Sequence, residues 1–134
     1  MDFFVFVSEQ WILVSVLLLL VYGYFWTEKI KSGKILSIHE VTRAMNDGAV
    51  VLDVRDAKEF ETGHLVDSIN IPHNKVLERI VELETSREKT ILVVDKMGQH
   101  SASVGRTLLG KGFNACRMQG GISEWQGQNL PLIK

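Results

Sequence analysis

The chain has one cysteine, Cys116, among 134 residues. That excludes an internal disulfide and a cysteine-rich metal site, and an unpaired thiol suits a reducing compartment better than an oxidising one. Charge of one sign is also lacking. The formal net charge is -1, and no basic stripe could follow a phosphate backbone, so nucleic acid is not an expected partner. The four histidines, His39, His64, His73 and His100, do not fall at metal-ligand spacing, so no metal and no cofactor is expected. His64 sits in a Gly-His-Leu turn, where a structural hydrogen bond is the simpler role. No internal repeat and no low-complexity segment occurs.

What is present begins with a long apolar run. No charged residue lies between Gln10 and Thr27, and Leu17 to Val21 forms its centre. A helix needs roughly 20 apolar residues to cross the hydrocarbon of a bilayer, and Phe3 to Val7 extend this slightly short run, interrupted by Glu9. Trp11 marks one end and Tyr22, Tyr24 and Trp26 the other, as interfacial aromatics do. A cleaved signal peptide would want a positive start and small residues at a cleavage site; Asp2, Glu9 and Gly23-Tyr24-Phe25-Trp26 supply neither. A buried core helix would show a polar face, and Ser15 alone does not make one. The expectation is an uncleaved single transmembrane helix over about 10–27 within an N-terminal segment 1–27. Lys29, Lys31 and Lys34 follow the run, whereas Asp2 and Glu9 precede it. The positive-inside rule then predicts a single-pass protein of the cell membrane, with its N-terminus outside and its C-terminal domain in the cytoplasm. Residues 28–35, including Ser32-Gly33-Lys34, read as a linker.

From residue 36 to 134, strand and helix patterns alternate. Ser37 and Glu40 form a capping box for a helix over Ile38 to Asn46, and Gly48 stops it. Val50 to Val54 is a strand apolar on both faces, as a central parallel strand should be. Asp56 can cap a short helix through Phe60. Ser68 to Pro72 is a short strand. Val76, Ile80, Val81 and Leu83 recur at roughly helical spacing, predicting an amphipathic helix over Asn74 to Glu84. Ile91 to Val94 is a buried strand, Ser101 to Leu109 a helix, Phe113 to Met118 a last strand. Gly120-Gly121 turns into a short helix ending near Trp125. This order argues an α/β domain with a mainly parallel sheet. In such sheets chemistry gathers at the carboxyl ends of strands, which directs attention to Asp95-Lys96-Met97-Gly98-Gln99-His100.

Four fragments then fall in order. Val51-Leu52-Asp53-Val54-Arg55 precedes Glu59-Phe60. Gly63-His64-Leu65 precedes Ser68-Ile69-Asn70-Ile71-Pro72. The strand Ile91 to Val94 precedes a six-residue loop and a helix. Gly112-Phe113 precedes Gly120-Gly121-Ile122, Trp125 and Asn129-Leu130-Pro131. Over about Leu36 to Leu132 the chain resembles the rhodanese homology domain, and with its apolar segment it resembles the membrane-anchored single-domain members found in bacteria. The resemblance implies a rhodanese-like fold, a five-stranded, mainly parallel sheet with helices on both faces. It implies transfer of sulfane sulfur through a cysteine persulfide as the family activity, which fold alone does not guarantee.

Active relatives open the six-residue loop with cysteine, whose thiolate is stabilised by inward backbone N–H groups and the positive end of the next helix. Here the opening residue is Asp95. A carboxylate cannot form a persulfide, but it can accept those N–H groups itself, and its charge would repel thiosulfate. The loop ends in His100 where active relatives often carry arginine, leaving Lys96 as its only permanent cation. Asp53 and Arg55 are expected to support the loop as a structural ion pair. Met97 is expected at the loop tip, where it could meet a partner. Cys116, in the last strand, could substitute as nucleophile, but a buried cysteine is usually a small apolar filler. An aspartyl-phosphate or hydrolase site on Asp95 and His100 lacks a second carboxylate for a metal. The expected function is a non-catalytic binding or regulatory module that meets the lipid bilayer through its apolar helix and an unidentified protein partner near the membrane. The alternative is a sulfurtransferase working through Cys116 or a partner thiol.

Overall fold

The computed structural model describes residues 2–31 and 33–134, and the chain divides into two units, 1–30 and 31–134.

The first unit holds α1 (Phe3–Glu9) and α2 (Trp11–Lys31). Asp2 caps α1 by accepting the Phe4 N–H at 3.2 Å. Gln10 ends α1 and starts α2: its N–H donates to the Phe6 carbonyl, and its carbonyl accepts from Val14. No single helix among the described residues is long and apolar enough to cross a membrane. The pair Phe3–Glu9 and Trp11–Thr27 meets that requirement together, bent by 79°. The single span expected over 10–27 is therefore one arm of a bent pair, and α2 continues beyond it to Lys31 through the segment read as a linker. Ser32, also assigned to that linker, lies outside the described residues.

The second unit is a five-stranded parallel sheet in the order β1-β5-β4-β2-β3. The strands are β1 (Lys34–Leu36), β2 (Val50–Asp53), β3 (Ile69–Asn70), β4 (Thr90–Val94) and β5 (Asn114–Met118). Strand β1 corrects the linker 28–35. Its three residues are too few to show a periodicity, and their register beside Cys116, Arg117 and Met118 is a tertiary pairing. Helices α3 (Ile38–Asn46), α4 (Ala57–Thr62), α5 (Ser101–Gly110) and α6 (Gly121–Gly127) connect or follow the strands. The Ser37–Glu40 capping box of α3 is formed in both directions. Asp56 stands at the N-cap of α4 but its side chain makes no capping bond.

Alternation along the strands splits the core between the two faces of the sheet. Leu52, Ile91, Val93 and Ala115 pack with Val104 and Leu108 of α5 on one side. Val51, Leu92, Val94, Cys116 and Met118 pack with Ile38, Val41, Ile122 and Trp125 on the other. The helix expected over Asn74 to Glu84 is replaced by two 3₁₀ segments, His73–Lys75 and Ile80–Ser86. Three residues per turn put Ile80, Leu83 and Ser86 on one inward row, so Val81 turns outward and is 71% exposed.

Candidate functional site

Strand β4 is apolar to its end, and the chain leaves the sheet at Asp95. The side chain of Asp95 is buried, with 3% exposure. It turns back into its own loop. Oδ1 accepts the Gly98 N–H, and Oδ2 accepts those of His100 at 2.5 Å and Ser101 at 3.2 Å. Gly98, at φ +93, provides the left-handed residue that a loop closing on one carboxylate requires. The Ser101 hydroxyl donates to the Gly98 carbonyl at 3.2 Å. His100 and Ser101 open α5, so the carboxylate also lies at the positive end of that helix. A buried anion is tolerable only when hydrogen-bonded, and these three donors supply the bonds.

A second helix braces the loop from behind. Ile122 and Ser123, at the start of α6, donate to the carbonyls of Asp95 and Lys96 at 2.8 and 2.9 Å. Gly121 permits this approach. A Cβ there would stand 2.5 Å from the Asp95 oxygen and 2.7 Å from the Lys96 oxygen. The sequence shows Gly120-Gly121 as a turn, but nothing in it points to the loop as the object of the contact.

Asp53 and Arg55 form the expected ion pair. The Nη2–Oδ2 distance is 2.7 Å, Nε donates to both oxygens at 3.0 Å, and both residues are buried. Arg55 also donates to the Gly63 carbonyl at 2.7 Å, and Asn70 donates to the carbonyls of Asp53 and Arg55. The pair thus ties the end of β2 to the turn after α4 and to β3. His64 does what the turn suggests: its Nδ1 pairs with the Phe60 carbonyl, and its backbone bridges to Ile133.

Above Asp95 lies a cavity of about 100 Å³. Lys96, Gln99 and His100 line it with Arg55, and Asp56, Glu59 and His73 complete the wall. The last three are site residues that pattern reading did not single out. His73 arrives because its N–H donates to the Val54 carbonyl at 3.0 Å, and its ring stacks on that of His100 at 3.7 Å. Met97 is at the exposed tip.

Cys116 is not part of this site. It sits in β5 beside Leu92, three residues before Asp95, or about 10 Å back along the strand. Burial pushes its thiol from the usual 9.0 up to about 11. Among the described residues no group of three or more His, Cys, Asp or Glu could hold a metal ion.

A parallel open sheet with an N–H-lined loop at the carboxyl end of its central strand defines an α/β protein built around an anion cradle. The model of the rhodanese-like domain matches residues 37–128, and the chain belongs to that family. It is 32% identical over 130 residues to the protein YibN of Escherichia coli (strain K12), covering 95% of this chain and 89% of that one. It is 32% identical over 80 residues to the thiosulfate sulfurtransferase GlpE of Pseudomonas savastanoi pv. phaseolicola, covering 59% of this chain and 74% of that enzyme. The crystal structure of a rhodanese-related protein from Thermoplasma volcanium superposes with a TM-score of 0.69 at 29% identity, covering 75% of this chain and 97% of that one.

Proposed function

We propose that this chain is a membrane-anchored rhodanese-like module that binds or regulates a protein partner at the cytoplasmic face of the cell membrane without transferring sulfur. The observation that carries this reading is the carboxylate of Asp95, which accepts three N–H groups of the loop. In the family those groups serve a thiolate and its persulfide. Here a fixed anion that cannot bond sulfane sulfur takes them. Sulfur transfer needs an activated nucleophile. Cys116, buried and with a thiol pushed up to about 11, is a poor candidate. The exposed loop tip, Lys96 and Met97, with the cavity beside it, offers a contact surface. Anchoring by the apolar helices raises the local concentration near membrane partners without new contacts. The lysines after the apolar run support a cytoplasmic domain.

The test is sulfur transfer from thiosulfate to cyanide by the full chain in detergent, with wild type beside Asp95→Cys and Cys116→Ala. The reading predicts a silent wild type and gained activity in Asp95→Cys. Wild-type activity abolished by Cys116→Ala would replace it with an enzyme that uses a relocated thiol.

A further inference from the structure

We infer that α1 is an interfacial foot: it lies along the bilayer surface at the Trp11 end of α2, while α2 descends into the lipid. This rests on the anchored reading above and adds a lipid-binding surface to it. The first observation is the 79° bend between Phe3–Glu9 and Trp11–Thr27, close to the angle between a surface helix and a spanning one.

The second is the arrangement of side chains around α1. Phe3 and Val7 are one turn apart, and Phe4 lies beside Val7 on the same face, with all three spread over about a third of the circumference. Asp2 and Glu9 fall two turns apart on the opposite face, flanked by the partly exposed Val5 and Phe6. Val7 is the one half-buried residue of α1, and Gln10 and Val14 are half-buried where their neighbours are exposed, which puts this side on the inside of the bend. The inside of the bend is the side towards which α2 runs. The aromatic face of α1 therefore continues the apolar surface of α2, while the two carboxylates point away from it. Phe3 and Phe4 are 71% and 78% exposed and meet each other edge to face.

The third is length. Trp11 to Thr27 spans about 25 Å as a helix, against about 30 Å of hydrocarbon. A span a few Å short is accommodated by local thinning of the bilayer, which sets Trp11, and with it the start of α1, at the boundary.

The experiment uses the full chain with Cys116→Ala, reconstituted in phosphatidylethanolamine–phosphatidylglycerol vesicles. A nitrobenzoxadiazole label is placed on a single cysteine at Phe4→Cys, Glu9→Cys or Leu18→Cys, and quenching by aqueous iodide is read. The foot predicts shielded labels at Leu18 and Phe4, and quenching about fivefold stronger at Glu9 than at Phe4, as for the wet and lipid faces of an interfacial helix. With Leu18 shielded, equal quenching at Phe4 and Glu9 overturns the foot and leaves the anchor standing. This covers both strong quenching, as for a helix projecting into water, and weak quenching, as for one wrapped by a second copy or partner. Strong quenching at Leu18 overturns the anchor and the foot together.

Discussion

Replacing Asp95 with alanine should destabilise the rhodanese-like unit and open it to anions. The carboxylate is buried and accepts from Gly98, His100 and Ser101. Hydrogen bonds to a charged group contribute about 1.5–3 kcal/mol each. Losing all three bonds does not cost the full sum, because the Gly98 and His100 N–H groups are only partly buried. The expected loss is about 2–4 kcal/mol. Asp95→Asn should lose nearly as much, since its NH₂ would face an N–H of Gly98 or of His100 and set two donors together. The vacated N–H groups at the head of α5 then form an anion site. Sulfate or thiosulfate should restore the variant, by about 2.7 kcal/mol at a concentration a hundredfold above its dissociation constant. Anion exclusion also strengthens burial generally, so the decisive quantity is the difference from wild type. The assay is urea unfolding of the full chain in detergent, followed by far-ultraviolet circular dichroism and by the fluorescence of Trp125 in a Trp11→Phe, Trp26→Phe background. An Asp95→Ala variant within about 0.5 kcal/mol of wild type would refute the reasoning, because surface-like substitutions fall in that range. So would equal stabilisation of variant and wild type by the anions.

Three further outcomes follow from neighbouring groups. Arg55→Ala leaves the Asp53 carboxylate buried without its partner and the Gly63 carbonyl without its donor, so the urea midpoint should fall by the equivalent of about 3–5 kcal/mol. Gly121→Ala places a Cβ against the Asp95 and Lys96 carbonyls at φ +63; it should cost at least about 2 kcal/mol and speed amide exchange at Ile122 and Ser123. The Cys116 thiol is raised from 9.0 to about 11, so the folded state holds its proton longer than the unfolded one. That contribution is complete below pH 9 and is lost as pH rises towards 11; alkylation of the native thiol by iodoacetamide should be slow at pH 8 and accelerate steeply towards pH 11.

The sequence made the central strands legible because β2 and β4 are buried on both faces and carry continuous apolar runs between turn residues. The α3 capping box was legible for a local reason, since all its groups lie within four residues. Strand β1 was not, because its register beside β5 is a tertiary pairing that no local pattern shows. The segment from Asn74 misled because Val76, Ile80 and Leu83 satisfy a helical and a three-residue period almost equally. The exposure of Val81 distinguishes them only in the folded chain. At the candidate site, Asp95 stood out because the family resemblance leads one to expect cysteine at the head of that loop, where this chain has a carboxylate. His73, Asp56, Glu59 and Gly121 did not, since each reaches the loop from a distant strand end or helix start, through contacts that no local spacing encodes.

If Asp95 stands in for the sulfur-carrying thiolate, as proposed, the intact mass of the full chain after exposure to thiosulfate tests it most directly, for wild type and for Asp95→Cys. No added sulfur is expected on wild type, and one cyanide-removable sulfur atom on Asp95→Cys. A sulfur atom on wild type, absent from Cys116→Ala, would contradict it.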